Sequence, residues 1–168
     1  MTDLSWNPSL HSLLASSSID GHIRINDVRE GTGGSAVNLE SSLAVQKVIE
    51  ILAVGSLPKT VVFSLWTQIT WHRRRSNLLL SAHEGDLRLW DLRAPAQPLH
   101  YATAHASAAR ILSLNWSGGD GCSSGSRFVT SGSDCTVKFW DFDDDGEEEE
   151  PFKLRQTLKT AVPVWRAK

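Results

Sequence analysis

The sequence predicts an all-β fold assembled from about three copies of one strand unit. Three observations predict it. Tryptophans recur in matching strand contexts, each is followed by two more strand-like runs, and an acid recurs at a fixed distance before the end of the third run. A repeated unit of this size is the first thing to settle in a sequence, because it decides the architecture.

The elements follow in order. Opening strands are expected at Asp3-Leu4-Ser5-Trp6, Gln68-Ile69-Thr70-Trp71 and Ser113-Leu114-Asn115-Trp116. Second strands are expected at residues 13–18, 78–83 and 128–133. Third strands are Ile23-Arg24-Ile25-Asn26-Asp27, Leu87-Arg88-Leu89-Trp90-Asp91 and Val137-Lys138-Phe139-Trp140-Asp141. The third runs alternate apolar with basic or polar residues, the period of a half-buried strand. From Trp to the final Asp is 21, 20 and 25 residues, and the surplus in the third copy falls in the glycine-serine stretch 118–125. Asp20, Glu84 and Asp134 each stand seven residues before that Asp. An acid at this place in a turn accepts amide hydrogen bonds and tightens the hairpin.

The chain has 168 residues with 17 Lys and Arg against 19 Asp and Glu. This balance lacks the basic excess of a dedicated nucleic-acid binder. Cys122 and Cys135 are too few for a disulfide framework or a four-thiolate zinc site. The N-terminus has no secretory pattern. The apolar stretch 48–71 is interrupted by Glu50, Pro58 and Lys59, so no direct membrane insertion is expected.

The Trp90-Asp91 and Trp140-Asp141 pairs, the turn acid and the strand pattern resemble WD repeats. The resemblance implies a partial β-propeller of about three four-stranded blades, a fragment of a larger one. It also implies a buried polar set in each blade, made of a third-strand Trp, a second-strand hydroxyl, the turn acid and a loop His. The third copy matches with Trp140, Thr130, Asp134 and His105, ending on Asp141. The first keeps Ser16, Asp20 and Asp27 but has Asn26 in place of Trp. The second has Trp90, Glu84 and Asp91, with Leu80 where the hydroxyl is expected. The first two blades are therefore expected to be less rigid.

Blade one is expected over residues 1–45, blade two over 68–104 and blade three over 105–158, with an acidic loop at 143–150. Residues 159–168, containing Trp165, resemble the start of a fourth blade. Residues 46–67 have no counterpart in the repeat. They read as an insertion between blades or as a retained intron translated in frame.

Ser81-Ala82-His83-Glu84-Gly85-Asp86-Leu87-Arg88-Leu89-Trp90-Asp91, Tyr101-Ala102-Thr103-Ala104-His105, Thr136-Val137-Lys138-Phe139-Trp140-Asp141 and Val162-Pro163-Val164-Trp165-Arg166 narrow the resemblance. They are similar to the WD-repeat subunits of the SEA complex, called the second GATOR subcomplex in animals. That similarity implies a non-enzymatic scaffold relaying amino-acid supply to TOR complex one. It implies protein partners, namely other WD-repeat scaffold subunits and a nucleoporin-like propeller. The implied location is cytoplasmic, peripheral at the lysosomal or vacuolar membrane through those partners.

Chemistry is sparse. No cofactor or metal is expected, since no His-x-x-x-His spacing occurs. His83 with Glu84 and Asp86 has no diagnostic metal spacing, and residues 31–34 lack the Lys of a phosphate loop. His72-Arg73-Arg74-Arg75 reads as a solvated loop able to meet an acidic partner. The acidic run 143–150 holds much of the chain's negative charge and reads as a solvated loop. Arg29 and Arg93 stand two residues after Asp27 and Asp91, a spacing shared with some receptors of cullin-RING ubiquitin ligases. That is the alternative function. Asp143 occupies the matching place in the third copy and breaks the pattern.

Overall fold

The structure is a computed structural model that describes residues 3–17, 22–31, 51–52, 67–94, 98–106, 109–117, 126–143 and 150–167. It is all-β, with a single turn of 3-10 helix at Val28–Gly31 among these residues. Three antiparallel four-stranded sheets follow one another along the chain. Sheet one holds β1 (Asp3–Trp6), β2 (Leu13–Ser17), β3 (His22–Asp27) and β4 (Ile51–Leu52). Sheet two holds β5 (Thr67–Trp71), β6 (Leu78–His83), β7 (Asp86–Asp91) and β8 (His100–Thr103). Sheet three holds β9 (Ile111–Trp116), β10 (Ser126–Gly132), β11 (Thr136–Phe142) and β12 (Phe152–Lys159).

Strand register shows that the sheets are copies. Trp6 pairs with Leu14 and Leu14 with Asn26. Trp71, Leu79 and Trp90 form the same row in sheet two, and Trp116, Phe128 and Trp140 form it in sheet three. A second row carries Leu4, Ser16 and Arg24, then Ile69, Ser81 and Arg88, then Leu114, Thr130 and Lys138.

These rows explain the packing. Trp71, Leu79 and Trp90 bury against Ala15, Ile23 and Ile25 of sheet one. Trp116, Phe128 and Trp140 bury against Leu80, Leu87 and Leu89 of sheet two. Each aromatic-bearing face thus closes on the aliphatic face of the sheet before it. Sheet two is covered on both sides, so every residue of β6 is buried. This is why Leu78-Leu79-Leu80 is a continuous apolar run rather than an alternating one. Burying one such leucine or aromatic contributes roughly 1.5–3 kcal/mol. Trp6, in the first row of sheet one, is 56% exposed.

The opening strands lie side by side. The Ile69 amide donates to the Asp3 carboxylate at 2.9 Å, and Trp71 Nε1 donates to the Ser5 carbonyl at 3.0 Å. β1, β5 and β9, together with Trp165 to Ala167, line a central cleft of about 400 Å³. The chain after β12 runs beside β9, where the Ala167 amide donates to Ser113 Oγ at 3.2 Å and Ser131 Oγ donates to the Val164 carbonyl at 2.6 Å. It stays irregular through Ala167 because no further strand pairs with it among the described residues. Within the stretch 46–67, Ile51 pairs with Ile23 and Leu52 with His22 as the outer strand of sheet one. The acidic stretch 144–149 lies outside the described residues.

Candidate interaction surface

The frame is built first, by polar sets between strands. In sheet three, Trp140 Nε1 donates to Thr130 Oγ1 at 3.0 Å, and Thr130 Oγ1 lies 2.9 Å from His105 Nε2. His105 Nδ1 lies 3.0 Å from the Asp134 carboxylate. Thr136 donates to that carboxylate through its hydroxyl at 2.7 Å and its amide at 3.1 Å. All four groups are satisfied if Thr130 donates to Nε2 and Nδ1–H donates to Asp134. Burial pushes the His105 pKa down more than Asp134 raises it, so the imidazole is neutral. Burial raises the Asp134 pKa, but the bonds from Thr136 and His105 outweigh it and leave it lowered. The order Thr–His–Asp matches that of a nucleophilic triad, but Thr130 is fully buried and its hydroxyl is engaged by Trp140. A nucleophile must reach substrate.

Sheet two corrects the expectation placed on Leu80. The hydroxyl is Ser81, which accepts from Trp90 Nε1 at 2.8 Å and lies 3.0 Å from His83 Nε2. Leu80 faces the opposite core. The hairpin between β6 and β7 has two residues where that between β10 and β11 has three, so counting back from Trp lands one place early. The imidazole also comes from a different backbone. His83 occupies on β6 the place Gly132 occupies on β10, two residues after the hydroxyl. A Cβ on Gly132 would lie 2.4 Å from His105 Nδ1 and 2.5 Å from Asp134 Oδ1. Glycine there leaves room for the loop histidine. Burial, with Arg88 nearby, pushes the His83 pKa down to about 3.

His83, Glu84 and Asp86 are not brought together as ligands. His83 faces Ser81, and Asp86 accepts from the Tyr101 hydroxyl at 2.5 Å. No group of three or more potential metal ligands occurs among the described residues. Glu84 holds the turn through its backbone, with φ of 55° and its carbonyl accepting from the Ile111 amide at 2.7 Å. That differs from the side-chain role expected for a turn acid. In sheet one, Ser16 Oγ meets the Arg24 carbonyl at 3.4 Å, and Asp20 lies outside the described residues.

The ends of the third strands carry the acid–arginine corners. Asp27 accepts from Arg29 through the amide at 3.1 Å, Nε at 3.2 Å and Nη2 at 2.7 Å. Asp91 does the same with Arg93 at 2.9, 3.0 and 2.6 Å, and adds Asn77 Nδ2 at 3.0 Å. The arginine bonds hold both carboxyls well below the usual carboxylate range. In sheet three the partners of Asp141 come from neighbouring strands, Arg127 Nε at 3.0 Å and Arg155 Nη1 at 3.1 Å.

The loops after β1 and β5 are held by Asn7, which sequence reasoning passed over, and by His72, which it placed in a solvated loop. Asn7 Oδ1 accepts from the amides of Ser9 and Leu10 at 3.0 and 2.8 Å. His72 Nδ1 accepts from those of Arg74 and Arg75 at 3.1 and 3.0 Å. Both are buried, so His72 is not part of the solvated loop expected of it. Its ring meets Trp116 edge-on at 4.6 Å. Arg73, Arg74 and Arg75 are exposed. The available signal was position, since Asn7 and His72 both follow the opening-strand Trp.

Repeated four-stranded antiparallel sheets, inner strands around a cleft, and Trp–hydroxyl–His sets define WD-repeat blades. The chain belongs to the WD-repeat family, whose WD domain, G-beta repeat model matches residues 96–141. Over its whole length it is similar to the GATOR2 complex protein Wdr59 of Drosophila melanogaster, 33% identical over 169 residues. It is likewise similar to the GATOR2 complex protein WDR59 of Homo sapiens at 29%. Maintenance of telomere capping protein 5 of Saccharomyces cerevisiae is 25% identical over 174 residues. The chain spans 14% of the length of the fly and human relatives and 12% of the yeast one. No helix among the described residues is long and apolar enough to cross a membrane.

Proposed function

We propose that the chain is a protein-interaction scaffold of a SEA/GATOR-type assembly that regulates TOR complex one in response to amino acids. The observation that carries this is full-chain similarity to GATOR2 proteins of fly and human. The physical form supports it, since exposed loops stand on a frame pinned by buried polar sets, the arrangement in which binding resides in loops. In this reading Ser16, Asp20, Glu84, Trp90, His105, Thr130, Asp134 and Trp140 serve rigidity, not chemistry. Asp27, Asp91 and Asp141 fix the strand ends. The protein acts in the cytoplasm, at the lysosomal or vacuolar surface through its partners.

The test is depletion of the protein in its own cells, followed by amino-acid withdrawal and refeeding. TOR complex one substrate phosphorylation should lose its normal response. An unchanged response would contradict the proposal. The repeated Asp27–Arg29 and Asp91–Arg93 geometry favours a second reading, a substrate receptor of a cullin-RING ligase. It predicts recovery of a cullin and its adaptor with the tagged protein.

A further inference from the structure

We infer that one end of sheets one and two is a preformed docking face for an acidic protein segment carrying apolar side chains. This deepens the scaffold reading and rests on it. In an antiparallel meander the loops after the first and third strands lie at the same end of the sheet. That end therefore gathers Leu10, Val28 and Arg29 from sheet one with Arg73, Arg74, Arg75 and Arg93 from sheet two. All seven are exposed.

The loops are stitched into one surface. Asn7 Nδ2 donates across the sheets to the Ser76 carbonyl at 2.8 Å. The Val28 amide donates to the Ser12 carbonyl, and the Leu92 amide to the Asn77 carbonyl, both at 2.9 Å. The Asn77 side chain holds Asp91, which holds Arg93. Arg29 and Arg93 are oriented by their carboxylates while remaining 76% exposed. A guanidinium already fixed loses less freedom on binding.

The chemistry favours a protein partner. Exposed Leu10 and Val28 share this end with the arginines, and the described loops hold no Phe, Tyr or Trp for base stacking. Asp27 and Asp91 share this end and moderate its charge, which suits a mixed acidic and apolar segment better than a phosphate array. The same end of sheet three mixes Asp141, Asp143 and Glu150 with Arg127, Lys153 and Arg155, so the basic excess lies on sheets one and two.

The test is fluorescence anisotropy of the 168-residue chain with a labelled peptide of repeating Glu-Glu-Leu. Binding should weaken about tenfold or more in Arg73→Glu/Arg74→Glu, and fall with added salt. The control Arg110→Glu/Lys159→Glu places the same charge change elsewhere and should cost less than about twofold. Far-ultraviolet circular dichroism checks that both variants fold, and Arg93→Gln supplies a milder variant at the same face. Absent peptide binding, an equal loss in the control, or tighter binding to oligouridine or phosphatidylserine vesicles would overturn the inference. Lost peptide binding with an intact amino-acid response in cells would overturn this face alone.

Discussion

Gly132→Ala is the sharpest probe of the frame. The added methyl would stand 2.4 Å from His105 Nδ1, 2.5 Å from Asp134 Oδ1 and 2.9 Å from His105 Cε1. Ordinary contact needs about 1 Å more. His105 is buried and held by Thr130 at 2.9 Å, so it cannot yield that distance and keep both bonds. Leaving one buried polar partner unsatisfied costs about 1–3 kcal/mol, and overpacking adds about 1–3. Reduced freedom of the unfolded chain returns about 0.4–1 kcal/mol. The net expectation is a loss of about 1–5 kcal/mol, read as a lower urea midpoint by tryptophan fluorescence. Because the imidazole supplies two of the three close contacts, the losses should not add fully. Gly132→Ala in a His105→Ala background should cost at least 1 kcal/mol less than alone, a coupling of about the size contacting residues show. Strict additivity of the two changes would refute the reasoning.

Ser81→Ala should lower stability by about 2–4 kcal/mol, since it strips a partner from both Trp90 Nε1 and His83 Nε2; a loss under 1 kcal/mol by urea titration would place the hydroxyl elsewhere. Stability should fall as pH drops below the ordinary histidine value. Burial pushes the His83 pKa down to about 3, so the unfolded chain takes up a proton the folded one excludes, about 1.4 kcal/mol per pH unit from roughly 6.5 downward. His105 shifts the same way, and His83→Gln should reduce the slope of urea midpoint against pH. Arg93→Ala should cost less than about 1 kcal/mol in thermal melts, because the guanidinium is mostly in water.

The strand rows were legible because they rest on period and composition. Trp71 and Trp116 announce opening strands, and the alternation in residues 87–91 and 137–141 announces third strands. The polar set of sheet three was readable as well, since Thr130, Asp134, Trp140 and His105 are all residue types the resemblance demands. Sheet two was misread by one position because a turn shortened by one residue shifts every count made from Trp90. The exchange of a loop histidine for His83 was hidden for another reason. It depends on the Cβ missing at Gly132, and a glycine in a strand does not say which side chain fills its space. Asn7 was missed, and His72 was placed in a solvated loop, because a side chain accepting two turn amides leaves no spacing pattern. The source of Asp141's partners was equally silent, since Arg127 and Arg155 lie on other strands.

The most direct test of the central claim is purification of the endogenously tagged protein with identification of its partners by mass spectrometry. The account predicts recovery of other WD-repeat scaffold subunits together with a nucleoporin-like propeller. Recovery of a cullin and its adaptor without those subunits would contradict it.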